Sequence, residues 1–260
     1  MPSIEPSATG AGIGIDRVQL EGQPGHRGWG YHPAMLRSDR RPRHPNLRHP
    51  GQRLAFAALY GPLATVYDRF TGWLFLGEWA RRQATALALV PVSARVVELG
   101  AGTGALAATA RAAGRTWIAV EPSPAMIGVA ARRGRAVSLV RASPGSLPIA
   151  AGTVDAVVAT FPTSYLLDAA TASEVRRVLR HGGMVVVVLS GTLSPDGRRR
   201  RIHRGALQQF YGPPAASTPI PCALPGFTGE VRLVPTYHGS ATVYIGTLAP
   251  TSVATGPSLA

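Results

Sequence analysis

The chain has 260 residues, with 27 basic residues against 13 acidic ones and a formal net charge of +14. This length suits one α/β domain with additional segments. Every basic residue is an arginine, and the chain is also rich in Ala, Gly and Pro. We therefore interpret the charge as a compositional bias and do not expect a nucleic-acid partner. The single cysteine, Cys222, excludes a disulfide within the chain and a cysteine-based zinc site.

Residues 1–50 are predicted to form a flexible tail rich in Arg, Pro and Gly, because their few apolar side chains cannot offset the entropy of ordering them. His32, His44 and His49 lie in this tail without acidic partners, so we expect no metal site. Residues 251–260 are also predicted to be flexible. The pattern of a secretory signal or of a transmembrane span is missing, and we expect a cytoplasmic protein.

Residues 51–92 are predicted to form two or three helices that precede the first strand. Apolar residues recur there at helical spacing, and the pattern is interrupted at Gly61, Pro62, Gly72 and Gly77. Tyr67 and Trp79 fit two interpretations. They are either core residues of packed helices or part of a helical lid over a ligand site.

The segment from Arg95 to Glu121 predicts a strand, a glycine-rich turn, a helix and a second strand. Arg95–Leu99 ends in an apolar run suited to a buried strand, and three glycines follow at alternate positions, Gly100, Gly102 and Gly104. A helix is predicted over Ala105–Ala113, with its N-terminal amides facing the turn. Glu121 ends the second strand about 20 residues after the first glycine, where an acidic side chain meets ribose hydroxyls in nucleotide-binding folds.

Residues 93–250 are predicted to form one core in which strands and helices alternate. Such alternation favours a mostly parallel, Rossmann-like sheet with helices on both faces. The strands are predicted at Arg95–Leu99, Trp117–Glu121, Ala136–Val140, Val154–Thr160 and Met184–Leu189. The later helices are predicted at Ala125–Arg133, capped by Ser123 with Pro124 at its first position, and at Ala169–Arg180.

The last predicted elements are two β-rich runs, Gly229–His238 and Ala241–Leu248, joined by the short turn Gly239-Ser240. This pattern predicts an antiparallel hairpin beside the fifth strand. A dinucleotide-binding enzyme would need further parallel units instead. The hairpin therefore argues against NAD, although Gly100, Gly102 and Ala105 satisfy the loose pattern G-x-G-x-x-G/A.

The string E-L-G-A-G-T-G from Glu98 to Gly104 resembles motif I of class I S-adenosylmethionine-dependent methyltransferases. Residues Glu174–Met184 resemble the junction before strand five of that family. The strings Tyr60–Arg69 and Leu76–Arg82 resemble the helical lid of its small-molecule, quinone-biosynthesis members. The resemblance implies a seven-stranded, mostly parallel sheet with a C-terminal antiparallel β-hairpin, and S-adenosylmethionine as cofactor.

The resemblance also implies roles for single residues. The turn, with Glu98 before it, packs against the methionine part of the cofactor, Glu121 binds the ribose, and Tyr67 lies close to the cofactor. Ser143 occupies the position of the family's adenine-binding acid, and Met126 lies either along the adenine or in the core. The expected cofactor site consists of Tyr67, Glu98, Gly100, Ala101, Gly102, Thr103, Gly104, Glu121, Pro122, Met126, Ser143, Thr160 and Phe161.

The segment Ala159–Tyr165 follows strand four, where nucleic-acid amino methyltransferases carry N-P-P-Y or D-P-P-Y. The asparagine is absent here, which favours a carbon or oxygen acceptor on a small, apolar, lipid- or quinone-like molecule. Tyr165 is predicted to contact that acceptor and Phe161 to line its pocket. No nucleophile, metal or catalytic triad is required, because the reaction needs mainly in-line alignment.

Two alternatives to this enzyme stay open at the sequence level. Ser143 and the missing acceptor motif fit a cofactor-binding regulatory protein with weakened catalysis, and the arginine content fits an RNA methyltransferase. The run Arg198–Arg201 fits a solvated loop or a peripheral contact with a membrane surface. His203, Tyr211 and His238 are general-base candidates that no spacing singles out.

Overall fold

The computed structural model describes residues 58, 61, 63–136, 138–162, 164–194, 200–205, 224 and 226–249. The predicted tails and the residues Arg198, Arg199, Tyr211 and Cys222 lie outside these ranges. The domain boundaries given above therefore stay predictions. In the part of the chain that is described, no helix is long and apolar enough to cross a membrane.

A short 3₁₀ turn, Ala64–Val66, opens the helical segment that precedes the sheet. Two helices follow, α1 (Tyr67–Leu74) and α2 (Glu78–Leu89), which are separated by Gly77 in the left-handed region at φ 77°. This agrees with the two or three helices predicted there. Three further helices alternate with the strands: α3 (Ala105–Ala112), α4 (Pro124–Arg132) and α5 (Ala169–Val178).

The strands form one seven-stranded sheet in the order β3-β2-β1-β4-β5-β7-β6. The first five are parallel, and β7 lies antiparallel between β5 and β6. Their bounds are β1 (Val96–Leu99), β2 (Trp117–Val120), β3 (Leu139–Val140), β4 (Val154–Thr160), β5 (Leu179–Leu193), β6 (Phe227–Thr236) and β7 (Gly239–Leu248). The predicted fold class, including the closing hairpin, is confirmed. The predicted position of the hairpin turn is wrong: Gly239 and Ser240 belong to β7, and the turn is Tyr237-His238, because Thr236 pairs directly with Gly239.

Two of the five parallel strands differ from their predicted bounds by more than one residue, and the hairpin strands β6 and β7 both begin two residues earlier than predicted. Strand β3 is shorter than predicted, because Ser138 adopts a positive φ of 66° and the Leu139 amide donates back to the Ala136 carbonyl. Strand β5 is longer at both ends. Its second half, out to Leu193, pairs with β7 as far as Gly239, so tertiary pairing rather than local hydrophobicity determines its length.

The core lies on both faces of the sheet. Alternate residues of β1 divide between them: Val97 and Leu99 pack in one apolar cluster, and Val96 packs in the other. Because the parallel strands all run in one direction, the C-terminal ends of β1, β2 and β4 meet at one edge of the sheet. In folds of this kind, that edge is where ligands bind.

Candidate functional site

The turn after β1 is built from three glycines with positive φ, at 71° for Gly100, 57° for Gly102 and 70° for Gly104. The amides of Gly100 and Ala101 both donate to the Val120 carbonyl, at 2.8 and 3.0 Å. These bonds hold the turn against the end of β2. A Cβ on Gly102 would meet no heavy atom within 4 Å, so this backbone is open to a ligand.

Glu121 joins the glycine turn to the start of α4. Its Oε2 accepts a hydrogen bond from the Gly102 amide at 2.8 Å, and its Oε1 accepts one from the Ser123 amide at 2.8 Å. The residue is 3% exposed. Burial raises the pKa of this carboxyl, and the two backbone hydrogen bonds oppose the rise.

Asp68 of α1 fastens the helical segment to the same turn. Its Oδ1 accepts a hydrogen bond from Thr103 Oγ1 at 2.6 Å, and its Oδ2 accepts one from Arg135 Nη1 at 2.6 Å. Arg133 Nη1 also donates to Oδ2, and its second nitrogen donates to the Thr65 carbonyl at 2.9 Å. One carboxylate thus links α1, the turn and the residues that follow α4.

The turn, α1, α2 and the end of β4 line a cleft that opens to solvent. One wall is aromatic. Trp79 and Phe161 stack with ring centroids 3.9 Å apart and planes 20° apart, and Tyr67 meets Trp79 edge to face at 6.5 Å. The lining residues are Tyr67, Asp68, Trp79, Gln83, Gly100, Ala101, Gly102, Thr103, Ala105, Thr160 and Phe161.

Seven residues of the predicted cofactor site therefore line one cleft: Tyr67, Gly100, Ala101, Gly102, Thr103, Thr160 and Phe161. Gly104 instead occupies the position before α3, where it is the N-cap. Three further cleft residues come from the helical segment: Trp79, predicted as core or lid, Asp68, which follows the predicted Tyr67, and Gln83, for which no role was predicted. A signal for them was present, since Asp68 follows Tyr67, and Gln83 comes one helical turn after Trp79.

Glu98 is buried beneath the turn and does not line the cleft. Its Oε2 accepts a hydrogen bond from Trp117 Nε1 at 2.8 Å, and no group among the described residues bonds to its Oε1. Burial raises the pKa of this carboxyl to about 8. The Trp117 bond opposes this shift, and the charge of Glu121 adds to it.

The remaining predicted residues lie around the cleft rather than in its lining. Met126 is fully buried in a small cluster with Ala64 and Val129, against which Tyr67 packs. Ser143 lies in a tight turn and accepts a hydrogen bond from the Gly145 amide at 3.4 Å. Pro122, between Glu121 and the α4 cap, is partly buried.

Tyr165 lies beside the glycine turn, where its hydroxyl donates to the Leu99 carbonyl at 3.1 Å. A Cβ on Gly100 would come within 2.9 Å of that hydroxyl oxygen, so this glycine is needed for the close approach. The tyrosine ring packs against the apolar cluster of Val97 and Leu99. Its contact with an acceptor stays a prediction.

Known proteins match the part of the chain that carries this geometry. Residues 97–187 match a family model described as a methyltransferase domain. The chain is 32% identical over 148 residues to a demethylmenaquinone methyltransferase of Clavibacter sepedonicus, covering 54% of this chain and 58% of that protein. It is 34% identical over 140 residues to the protein of that name from Thermus thermophilus, covering 50% and 63%. The chain thus spans about three fifths of these relatives.

Among solved structures, the fold is similar to that of an S-adenosylmethionine-dependent methyltransferase from Thermotoga maritima, described as a possible histamine N-methyltransferase. The TM-score is 0.51 at 19% identity, with 75% of this chain and 100% of that chain covered. At this identity the likeness concerns the fold alone. Residues 97–187 thus match a methyltransferase domain, and the strand order and the sequence relatives support a class I S-adenosylmethionine-dependent methyltransferase.

Proposed function

We propose that the protein transfers a methyl group from S-adenosylmethionine to a small, apolar, quinone-like acceptor. The observation that carries this proposal is the buried Glu121 carboxylate, which bonds to the Gly102 amide beneath an open glycine turn. The turn leads directly into a cleft with an aromatic wall. The Glu121 carboxylate, which accepts hydrogen bonds, thus lies next to the Gly102 backbone, which a ligand can approach closely.

The residues of the turn fit an adenosine-bearing cofactor. Each oxygen of Glu121 accepts one backbone hydrogen bond and retains a lone pair for a ribose hydroxyl. Gly100 and Gly102 have no side chains that would fill the space beside the turn. When bound, S-adenosylmethionine would supply a methyl group on a positively charged sulfur; the sulfur would leave as the neutral thioether S-adenosylhomocysteine, and the acceptor would release one proton to solvent.

This chain's residues need chiefly to align the reacting groups. Holding two groups in attack geometry can lower a barrier by about 7 to 11 kcal/mol. The aromatic wall formed by Trp79 and Phe161 supplies apolar surface for a flat acceptor. The names of the two relatives describe action on demethylmenaquinone, which supports a quinone-like acceptor for this chain.

Calorimetry with S-adenosylmethionine tests the cofactor part of the proposal. Glu121→Ala should weaken binding by about 1.5 to 3 kcal/mol, the value of hydrogen bonds to a charged group. Glu121→Gln should weaken it less, because the amide oxygen still accepts one bond. Glu230→Ala, which removes an exposed carboxylate of the hairpin, is the control. Parent-like binding by Glu121→Ala would rule out the ribose assignment.

Transfer of a labelled methyl group to a panel of hydroquinones and phenols tests the reaction itself. Turnover on a hydroxylated ring supports the proposal. Cofactor binding without turnover on any acceptor, cell extracts included, would favour a regulatory cofactor-binding protein instead.

A further inference from the structure

A side-chain amide reaches the end of strand β4 from the helical segment. Gln83 of α2 donates from Nε2 to Thr160 Oγ1 at 3.1 Å, and both residues line the cleft. Thr160 is the last residue of β4 and is 8% exposed. The segment after β4 contains no asparagine. A side-chain amide nevertheless lies at the end of β4, because α2 supplies that of Gln83.

The position of this amide is fixed by the buried contacts of its helix. Arg82, the residue before it, is 1% exposed and donates to the Thr192 carbonyl on β5 at 2.9 Å. Glu78, at the start of the same helix, is fully buried and accepts from the His238 amide at 3.1 Å. Because α2 is tied to β5 and to the hairpin, the Gln83 side chain begins from a rigid base.

The hydrogen bond to Thr160 also fixes the plane of the amide. With Nε2 engaged by Thr160, the carbonyl oxygen Oε1 is the group of this side chain that is left for a ligand. A side-chain carbonyl accepts hydrogen bonds from hydroxyl or amino groups. It does not ionise, so it can orient such a group without removing its proton.

The surroundings of Oε1 suit a flat, hydroxylated ring. Trp79 lies one helical turn before Gln83 and stacks on Phe161, the residue after Thr160. The Asp68 carboxylate, which also lines the cleft, is already bonded to Thr103, Arg133 and Arg135. A ring against the aromatic wall can therefore find a neutral hydrogen-bond acceptor at its edge.

We propose that Gln83 orients the acceptor by accepting a hydrogen bond from a ring hydroxyl, with Thr160 holding the amide in place. The inference rests on the proposed function and names the group that recognises the acceptor. It also predicts that hydroxylated rings are preferred over the same rings with the hydroxyls methylated.

Binding of 1,4-dihydroxynaphthalene, measured by calorimetry under reducing conditions on protein saturated with S-adenosylhomocysteine, tests this directly. Gln83→Met keeps the length of the side chain and should weaken binding about tenfold, as expected for one lost hydrogen bond. Thr160→Val should weaken it severalfold, and Thr160→Ser should restore it. Thr109→Val on the exposed side of α3 is the matched control. Binding of 1,4-dimethoxynaphthalene should be the same in the parent and in Gln83→Met.

The affinity for S-adenosylmethionine shows whether Gln83 acts on the acceptor or on the cofactor. It should stay within about twofold of the parent in Gln83→Met; an equal loss for cofactor and acceptor would assign Gln83 to the cofactor and overturn the inference. Failure of the parent to bind the dihydroxy ring would also overturn it. Gln83-dependent binding without methyl transfer would instead support the inference while contradicting the proposed reaction.

Discussion

Gly102 combines a backbone conformation that favours glycine with open space for a ligand beside it. Its φ of 57° is strained for any side chain, yet an added Cβ would meet no protein atom within 4 Å. Substitution here should therefore leave the packing intact and act mainly on whatever approaches the turn.

We predict that Gly102→Ala loses S-adenosylmethionine binding by far more than it loses stability. The matched control is Gly114→Ala at the far end of α3, which has the same kind of conformation, φ 71° with nothing within 4 Å. Both variants should unfold at similarly lowered temperatures, but only Gly102→Ala should fail in calorimetry. Equal cofactor affinity in the two variants would contradict the assignment of the turn.

Glu98 is a second residue whose environment has a measurable consequence. Burial raises the pKa of its carboxyl from 4.5 to about 8, so the folded state holds a proton that the unfolded state releases. Between these values the free energy of unfolding should fall as the pH rises, by up to about 1.4 kcal/mol per pH unit.

We predict that the free energy of unfolding falls less steeply with rising pH in Glu98→Gln than in the parent. The amide is neutral throughout, and its oxygen can still accept from Trp117 Nε1. Urea unfolding at pH 5.5, 6.5 and 7.5 measures the slope. Glu174→Gln is the control, because the pKa of Glu174 is lowered by Arg177 and its titration lies below this range. An unchanged slope in Glu98→Gln would show that Glu98 does not carry the proton.

At the scale of elements, the Asp68 carboxylate supplies the ionic attachment of α1 to the glycine turn and to the residues that follow α4. Thr103, Arg133 and Arg135 all donate to it, and the ion-paired side chains are only 26% to 29% exposed. Loss of that charge leaves two guanidinium groups without their counter-charge.

We predict that Asp68→Asn loosens α1 while the sheet stays protected. Amide hydrogen exchange over residues 63–76 should quicken about tenfold, or about 1.4 kcal/mol, which is within the range for a partly exposed ionic network. Exchange in β1 and β4 should not change. Glu230→Gln, in the exposed pair with Arg232, controls for the loss of a carboxylate. Parent-like exchange in α1 would mean that apolar packing holds the helix.

For the whole molecule, much of the fold was predictable because its signals are local. Apolar runs, the capping Ser123 and the glycine positions predicted the alternating core, and the two β-rich runs near the C-terminus predicted the hairpin that pairs with β5. The length of β5 was not predictable, since its second half depends on a partner strand nearly fifty residues later in the chain.

The sequence by itself determined the glycine turn and the carboxylates around it. Glu98, the three glycines and Glu121 lie within one strand-turn-helix-strand unit, whose short-range geometry follows from residue type. Only the tertiary structure decided how the helical segment contacts the core. Asp68 meets Thr103 across 35 positions and Gln83 meets Thr160 across 77, and contacts of that range arise from how helices pack on a sheet, which no local pattern specifies.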